Sequence, residues 1–522
     1  MMPPLGRFKR NKRSSGKRVF RLFLAGLMGL ILAAHGCGQD EKEPFGKARV
    51  QIKRLMEARN IASFQVAVAK DGQIVYEEAF GWANVPEKIP ATNETMFAVA
   101  SIEKPFVSTA VMILAERGKI DLHGPVNDYL GGAKLTAFQG SASDATVARL
   151  LLHVTGLPYG YYVYGENVPR EKRRSNADLL GLAGVLVYPP GTVYEYTNFG
   201  YGLIDDIAEH AAGDDLREFI MKEIVAPLGL SHTLYFKTPP PKDKVATQNI
   251  PGGTLPLLIN EDGYSGMYST AGDLVRFGML HLKRHLSGQK RILSDAGIDL
   301  LRTCREPGVK ITSRTLAWDV QEDYGYQAVM HGGGGPGMHN YLYMIPSEDL
   351  VIAYMSNAQY PSSTPVLVEL LAAAVPKFSA LDRFKGRRWP QWPVLDEKAW
   401  RGEWAGKISG PKGTCRVAVV FDAAGSPKMR IEGDGEAGPW LAPNRSVQKN
   451  YGRVLYRFDA RIPYLIPFAE HDEVIITFLP LGEKLIGSAS AAKEKDFGRG
   501  ENYVLPQYFE LTRVKAPDAR EP

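Results

Sequence analysis

Two predicted β-hairpins, separated by a long helical stretch, constrain the fold of this chain more than any other feature. Residues 65–80 contain two apolar runs joined by Asp71-Gly72, and Asp-Gly between such runs is a strong hairpin signal. A second hairpin is predicted over residues 340–355, where turn-forming residues separate two apolar runs. Helical spacing of apolar residues lies between them, notably at 107–114. The pattern predicts an α+β fold in which helices flank an antiparallel sheet and form a helical subdomain.

A change of composition predicts a second domain. We expect the first domain to cover residues 45–378 and a basic, Pro-rich linker to occupy residues 379–399. Short apolar runs separated by Gly, Pro and Asp then predict a small all-β domain, a barrel or sandwich, at residues 400–515. These runs are residues 417–421, 428–431, 454–458, 474–478 and 508–511.

Residues 1–37 predict export. A basic run precedes an apolar stretch at 22–34, which is shorter than the roughly 20 residues of a membrane span and typical of a signal peptide. Residues 34–37 resemble a bacterial lipoprotein cleavage box, in which Cys37 would be lipidated and begin the mature chain. A plain secretory signal and an uncleaved anchor are the alternatives. We therefore expect a cell-envelope protein, periplasmic or extracellular, tethered to the membrane by an N-terminal lipid.

Charge and cysteine content exclude several classes of partner. The chain has 63 Lys and Arg against 57 Asp and Glu, a net charge of +6. Because the excess lies in the N-terminal basic run, the near-neutral remainder gives no reason to expect nucleic acid as a partner. Only Cys304 and Cys415 accompany Cys37, which predicts neither a disulfide framework nor a zinc site. We expect no metal and no cofactor, and the oligomeric state stays open.

The first candidate catalytic motif is Ser101-Ile102-Glu103-Lys104. The S-x-x-K pattern is common, but here it follows an apolar run and begins an amphipathic helix with Pro105 in its first turn. One helical turn brings Lys104 onto the same face as Ser101, so its amine can approach the serine hydroxyl. The N-terminal end of a helix also favours a developing negative charge.

Two further motifs follow in order. Tyr196-Thr197-Asn198 is the only Y-x-N in the chain and is predicted to lie in a loop. His331 begins a glycine-rich run that lets backbone approach a ligand closely. The order and spacing of the three motifs are far less probable by chance than any one of them.

Together the three motifs resemble those of the serine β-lactamase-like superfamily, in the branch of class C β-lactamases, D-alanyl-D-alanine carboxypeptidases and related serine esterases. The likeness covers roughly residues 45–375 and includes residues 150–158, 227–230 and 266–273. The C-terminal segment resembles the small β-barrel appendages of such proteins.

The resemblance implies roles for the first two motifs. Ser101 would be the acylated nucleophile, Lys104 its activating partner and Tyr196 a second candidate base. Asn198 would orient the substrate amide and the lysine. For Lys104 to act as a base, its pKa must fall from about 10.4 towards about 8, which burial can achieve. If Tyr196 is the base, Lys104 stays charged; the sequence leaves both open.

At the third motif the resemblance implies an oxyanion hole from the N–H groups of Ser101 and Gly334, beside His331 and Gly333. Many β-lactamases have Lys-Thr-Gly here, whereas this chain has His331 and Gly332. Since imidazole is mostly neutral at pH 7 and glycine has no hydroxyl, we expect weak capture of a substrate carboxylate. We therefore predict an esterase or an amide or peptide hydrolase acting on a small acyl or peptide substrate.

Two other functions are left open. One is a β-lactamase or D-Ala-D-Ala carboxypeptidase, and the other is a catalytically inactive lipoprotein that binds peptidoglycan fragments or β-lactams. Glu103 is expected either to face solvent or to disturb Lys104. His153 is expected to stabilise a turn rather than to catalyse.

Overall fold

A computed structural model gives the fold of the chain. It describes residues 43–515 apart from 166–167, 169–171, 237–239, 251–252, 255–257, 260–265, 310–312, 361, 379, 387–394, 411–412, 434–435, 451–452, 463–472 and 494–500. Cys37 and the predicted signal segment lie outside the described residues. Within the described part, no helix combines the length and apolar character needed to cross a bilayer.

The helices lie mainly in the first three quarters of the chain. They are α1 (Gly46–Arg59), α2 (Glu103–Glu116), α3 (Val126–Tyr129), α4 (Val147–Leu151), α5 (Asn176–Ala183), α6 (Asn198–Ala212), α7 (Leu216–Ile220), α8 (Ala226–Leu228), α9 (Ala271–His281), α10 (Asp295–Thr303), α11 (Thr364–Ala374) and α12 (Ala380–Lys385). Single 3₁₀ or π turns occur at Ala100–Ile102, Ala142–Asp144, Met221–Val225, Pro346–Glu348 and Glu397–Trp400.

The strands of the first part of the chain are β1 (Ser63–Lys70), β2 (Gln73–Asn84), β3 (Ile89–Pro90), β4 (Phe97–Ala98), β5 (Thr136–Ala137), β6 (Tyr161–Gly165), β7 (Val185–Leu186), β8 (Leu234–Tyr235), β9 (Asn249–Ile250), β10 (Gly253–Thr254), β11 (Leu258–Ile259), β12 (Met267–Ser269), β13 (Asp319–Asp323), β14 (Tyr326–Gly335), β15 (Met338–Ile345) and β16 (Leu350–Ser356). Those of the last part are β17 (Gly402–Gly410), β18 (Gly413–Phe421), β19 (Pro427–Gly433), β20 (Glu436–Ala437), β21 (Arg445–Asn450), β22 (Arg453–Phe458), β23 (Glu473–Leu481), β24 (Lys484–Lys493) and β25 (Glu501–Lys515).

Both predicted hairpins form. Asp71 and Gly72 connect β1 to β2 with φ angles of 50° and 77°, the left-handed backbone that a tight hairpin turn requires. A 3₁₀ turn and Asp349, with φ 49°, connect β15 to β16. The hairpins meet because β1 pairs antiparallel with β16. The resulting seven-stranded sheet has the order β13-β14-β15-β16-β1-β2-β3.

Both faces of this sheet are buried, because successive apolar side chains along the central strands point to opposite faces and pack against helices on each. On β16, Ile352 and Tyr354 pack on one side with apolar residues of α1 and α11. Val351 and Ala353 point the other way, into a larger cluster that includes residues of α2, α6 and α9. Period-two alternation thus gives a sheet covered by helices on both faces, which confirms the predicted α+β class.

The C-terminal strands form a second antiparallel sheet. Its order is β20-β19-β18-β17-β25-β24-β23-β22-β21, and it encloses an aromatic cluster that includes Trp400, Phe421 and Phe478. Each of the five apolar runs identified in this region lies in one of the strands. The exact domain boundaries remain predictions; α12 lies within the stretch expected to be a linker.

The all-β region, residues 400–515, is joined to the rest of the protein by strand pairing. The long strand β25 pairs with β6, with Val504 opposite Tyr161 and Tyr503 opposite Tyr162. The rings of Tyr162 and Tyr503 stack with centroids 5.4 Å apart. The two parts of the chain therefore share a continuous sheet close to the segment that follows α4.

Candidate active site

Ser101 lies in the 3₁₀ turn that leads directly into α2, as predicted for a serine at a helix N-terminus. The residue before it, Ala100, has φ 51°, a left-handed conformation that costs free energy for any residue with a Cβ. Strand pairing holds this turn: Ala98 of β4 pairs with Tyr268 of β12, and Ala98 O accepts a hydrogen bond of 2.8 Å from Asn340 Nδ2. The surrounding strands therefore fix the strained turn that presents the serine.

Two polar side chains contact this serine, and a third contacts the lysine. Lys104 Nζ lies 3.3 Å from Ser101 Oγ and donates a 2.7 Å hydrogen bond to Asn198 Oδ1. The Tyr196 hydroxyl donates a 2.9 Å hydrogen bond to Ser101 Oγ. The structure thus brings together four of the residues singled out in the sequence, which come from two separate motifs.

The second motif straddles the start of α6. Thr197 is the N-cap and accepts a hydrogen bond from Gly200 N, so Asn198 is the first residue of the helix and Tyr196 precedes it. His153, with φ 59°, supports this segment: its Nδ1 accepts from Thr197 N at 3.2 Å, and its ring lies 4.4 Å from that of Tyr196. The ring of His153 therefore supports the motif from beneath Tyr196 and Thr197, and its role in stabilising a turn stays a prediction.

Burial sets the protonation states of the lysine and the tyrosine. Lys104 is fully buried; desolvation, reinforced by the positive charge of Arg314, lowers its pKa well below the usual value. Desolvation raises the pKa of Tyr196 to about 12, although Arg314 and the bond to Ser101 oppose the rise. The site therefore shifts Lys104 towards its uncharged amine and keeps Tyr196 a protonated phenol at neutral pH.

Arg314 is a component of the site that the sequence did not reveal. It is 3% exposed, its guanidinium carbon lies 5.6 Å from the centroid of the Tyr196 ring, and its Nη1 lies 3.8 Å from Asp319 Oδ2. A single arginine in a polar stretch gives no motif, so no local signal could have identified it. Its charge, next to Lys104, opposes protonation of that amine.

The third motif lies at the end of β14, directly before β15, which is the first strand of the second predicted hairpin. Gly333 faces the serine turn so closely that a Cβ there would lie 2.2 Å from Val99 O. Only glycine permits this approach of the strand to the residues before Ser101. Gly334 follows it, paired with His339 of β15.

His331 is buried at the start of this motif. Its Nδ1 lies 2.8 Å from Gly332 O. Burial, together with the charges of Arg314 and Lys104, lowers its pKa well below the usual value. The neutral imidazole expected from the sequence is therefore the form that the site favours.

Of the two alternatives expected for Glu103, exposure to solvent is wrong, whereas its charge does affect Lys104 by opposing the lowering of that amine's pKa. The Glu103 side chain is fully buried, and Oε2 accepts hydrogen bonds from Gly266 N at 2.7 Å and Met267 N at 3.1 Å. These backbone donors compensate in part for the burial of the carboxyl, whose pKa is raised by desolvation. Glu103 thereby ties the start of α2 to β12, one of the strands that hold the serine turn.

Among the described residues, no group of three or more His, Cys, Asp or Glu is arranged to hold a metal ion. What the site does contain is a hydroxyl, an amine and a phenol in contact, beside backbone that can approach a ligand. Such an arrangement can transfer a proton from the serine and stabilise an attack on a carbonyl carbon.

Comparison with known proteins agrees with this chemistry. Penicillin-binding protein 4* of Bacillus subtilis (strain 168) is 32% identical over 174 residues, which cover 32% of this chain and 37% of that protein. Unguisins hydrolase ungD' of Aspergillus campestris (strain IBT 28561) is 24% identical over 351 residues, 62% of this chain and 64% of that protein. The chain thus spans less than two thirds of the length of both relatives.

Among solved structures, SurE superposes with a TM-score of 0.59 at 19% identity, over 91% of this chain and 100% of that one. The likeness is one of fold, and its coverage extends into the all-β region. A family model described as Beta-lactamase matches residues 49–375. Because that match covers more than half of the 522 residues, the chain belongs to the Beta-lactamase family, a family of serine hydrolases.

Proposed function

We propose that this protein is a serine hydrolase that forms an acyl-enzyme on Ser101. The observation that carries the proposal is the convergence of Lys104 Nζ and the Tyr196 hydroxyl on Ser101 Oγ, at 3.3 and 2.9 Å. A nucleophile in contact with an activating base is the arrangement that covalent acyl transfer requires. The family membership supports the same chemistry.

Lys104 is the base in this proposal. A neutral amine can accept the proton of Ser101 through its lone pair while one of its own N–H groups donates to Asn198 Oδ1. Tyr196 is a poor base at neutral pH because its pKa is about 12, so its phenol keeps its proton and donates a hydrogen bond to the serine oxygen. As Oγ attacks the carbonyl carbon, the Oγ proton passes to Lys104, which then returns it to the leaving alcohol or amine.

The oxyanion that forms in this attack requires hydrogen-bond donors. We assign this role to the N–H groups of Ser101 and Gly334, since the close approach at Gly333 keeps β14 beside the serine turn. A water molecule then attacks the acyl-enzyme, gives a proton to Lys104 and releases the acid, with Ser101 reprotonated. The two steps replace one difficult acyl transfer.

The substrate class follows from the third motif. His331 is neutral and Gly332 has no hydroxyl, so the motif lacks the fixed charge and hydroxyl that would bind a substrate carboxylate. We therefore propose an ester, amide or peptide substrate rather than efficient β-lactam turnover. The name of the Aspergillus relative, a hydrolase, is compatible with this class, and the name of the Bacillus relative makes penicillin a sensible probe.

We also propose that the protein is exported and anchored to the membrane through a lipid on Cys37, on the face of the envelope away from the cytoplasm. The support for this is the sequence of residues 1–37 alone: a basic run, a short apolar stretch and a cysteine preceded by a small residue.

Labelling with a fluorophosphonate, followed by peptide mass spectrometry, tests the function. We expect an adduct on Ser101, which Ser101→Ala abolishes, and turnover of p-nitrophenyl esters that falls by at least about 10³-fold in the same variant. Ser108→Ala, which changes a buried serine on the same helix, is the matched control. An unlabelled wild-type protein without esterase activity would instead support a binding protein that uses the same cleft.

The pH dependence of kcat/KM distinguishes the two candidate bases. Since the deprotonated amine is active and its pKa is lowered, activity should rise as the pH rises and reach a plateau well below pH 10. Tyr196→Phe should lower the plateau by about 10- to 10³-fold while activity still rises with pH. Lys104→Met should remove the rise of activity with pH. If Tyr196→Phe abolishes the rise, the tyrosine is the base.

Gly333→Ala tests the close approach of β14 to the serine turn. A methyl group would collide with Val99 O and push the strand away, so we expect kcat to fall by about 10²-fold or more through loss of oxyanion stabilisation. Gly131→Ala, at a site where a Cβ meets no atom within 4 Å, is the control. Equal activity of the two variants would refute the assigned oxyanion hole.

Fractionation of the native host's membranes tests the lipid anchor. Wild-type protein should partition into detergent extracts, and Cys37→Ser should appear in the soluble fraction because it lacks the acyl chains. Cys415→Ser serves as the control. Membrane association that persists in Cys37→Ser would rule out anchoring by a lipid on this residue.

A further inference from the structure

The segment that carries Tyr196 is held on one side by His153, and the all-β region contacts it on the other. On the His153 side, Glu195 N donates to His153 O at 2.8 Å, and Thr197 N donates to the ring nitrogen at 3.2 Å. These bonds fix the two residues that flank the tyrosine. The carbonyl of Tyr194 and the side chain of Glu195 take no part in these bonds and can be contacted from the opposite side.

Arg453, the first residue of β22, reaches both of those groups. Its Nη2 donates a 3.1 Å hydrogen bond to Tyr194 O, and its Nη1 forms an ion pair with Glu195 Oε2. The guanidinium therefore contacts the backbone of Tyr194 and the side chain of Glu195, the two residues immediately before Tyr196. The contact joins positions that are 259 residues apart in sequence.

Burial distinguishes this ion pair from those on the surface. The side chains of Arg453 and Glu195 are only 5% and 8% exposed. A buried pair of this kind is costly to desolvate, so it is poor evidence for a role in stability alone. The hydrogen bond to Tyr194 O is the contact that holds the backbone before Tyr196. The planar guanidinium can donate to a carbonyl while its charge lies beside a carboxylate, a combination for which lysine is less suited.

The all-β region also contacts the rest of the protein away from Arg453. Strand pairing of β25 with β6 and the stacked rings of Tyr162 and Tyr503 provide a separate and larger contact. The Arg453 contact is directed instead at the segment that ends in the phenol touching Ser101 Oγ.

We propose that Arg453 is a positioning residue: it holds the segment of Tyr194 and Glu195 so that the Tyr196 hydroxyl stays within hydrogen-bond distance of Ser101 Oγ. The all-β region is then part of the catalytic apparatus and not only a spacer. This inference rests on the proposed function, because it assigns Arg453 an effect on the rate at which Ser101 is acylated.

The full-length protein with Arg453→Met tests the proposal, and Arg457→Met is the matched control. Arg457 lies on the same strand, and its Nη1 is 2.9 Å from Glu473 Oε2 within the all-β region. The readouts are the rate of fluorophosphonate labelling at Ser101 and kcat for p-nitrophenyl acetate. We expect Arg453→Met to lower both by about 10- to 100-fold with KM changed less than about 2-fold, and Arg457→Met to keep the wild-type values.

A double-mutant cycle separates positioning of the tyrosine from general damage. In a Tyr196→Phe background the phenol is already absent, so Arg453→Met should lower the labelling rate by less than about 2-fold further. The same fold loss in both backgrounds would overturn the proposal, as would a loss in Arg457→Met equal to that in Arg453→Met.

Two further variants cover the case in which Arg453→Met fails to fold because Glu195 is left as a buried, unpaired charge. Arg453→Met combined with Glu195→Gln removes both charges and should fold, yet labelling should stay slow because Tyr194 O has lost its donor. Arg453→Lys should label Ser101 faster than Arg453→Met but more slowly than the wild-type protein. A wild-type rate in the doubly substituted protein would overturn the proposal.

Failure of the inference can be told apart from failure of the proposed function. If wild-type protein is not labelled at Ser101, the proposed function is wrong. If wild-type protein is labelled and the Arg453 variants label equally fast, the function stands and only the role of Arg453 is wrong.

Discussion

The burial of the Lys104 amine against Ser101 is the interaction on which the chemistry of the site depends. Removing an amine from water favours its neutral form, and the nearby charge of Arg314 adds to that preference. The surrounding residues support this contact. Ala100 has a strained backbone conformation, and Gly333 lets β14 approach the serine turn where no side chain fits. Strain and close packing of this sort persist only where surrounding structure compensates for them.

Much of the fold was predictable because its signals are local. Asp71-Gly72 specifies a tight turn by backbone chemistry alone, and alternation along the strands specifies which face is buried. The strands that escaped prediction have no such signal. Lys484–Lys493 is rich in Ser and Ala and forms a strand because it is paired on both sides, and Gly402–Gly410 contains three glycines. The adjacency of β1 and β16 likewise arises from tertiary packing.

The residues of the site divide in the same way, into those with a local sequence signal and those placed by tertiary contacts. The meeting of Ser101 and Lys104 follows from helical spacing, and the tyrosine motif was found through its order in a family pattern. Arg314, the backbone partners of Glu103, and the reach of Arg453 to Tyr194 depend on contacts between residues distant in sequence. No period or short motif encodes such contacts, so a charged residue that is buried in the fold looks in the sequence like one on the surface.

Titration of Lys104 by NMR measures the protonation of the buried amine directly. Protein labelled with ¹³C- and ¹⁵N-lysine would be followed from pH 5 to 11, and the resonance absent from Lys104→Met would assign the residue. We predict a pKa well below the roughly 10.4 of an ordinary lysine, which increases the fraction of neutral amine available as a base. A Lys104 amine that stays charged up to or beyond that value would contradict this prediction.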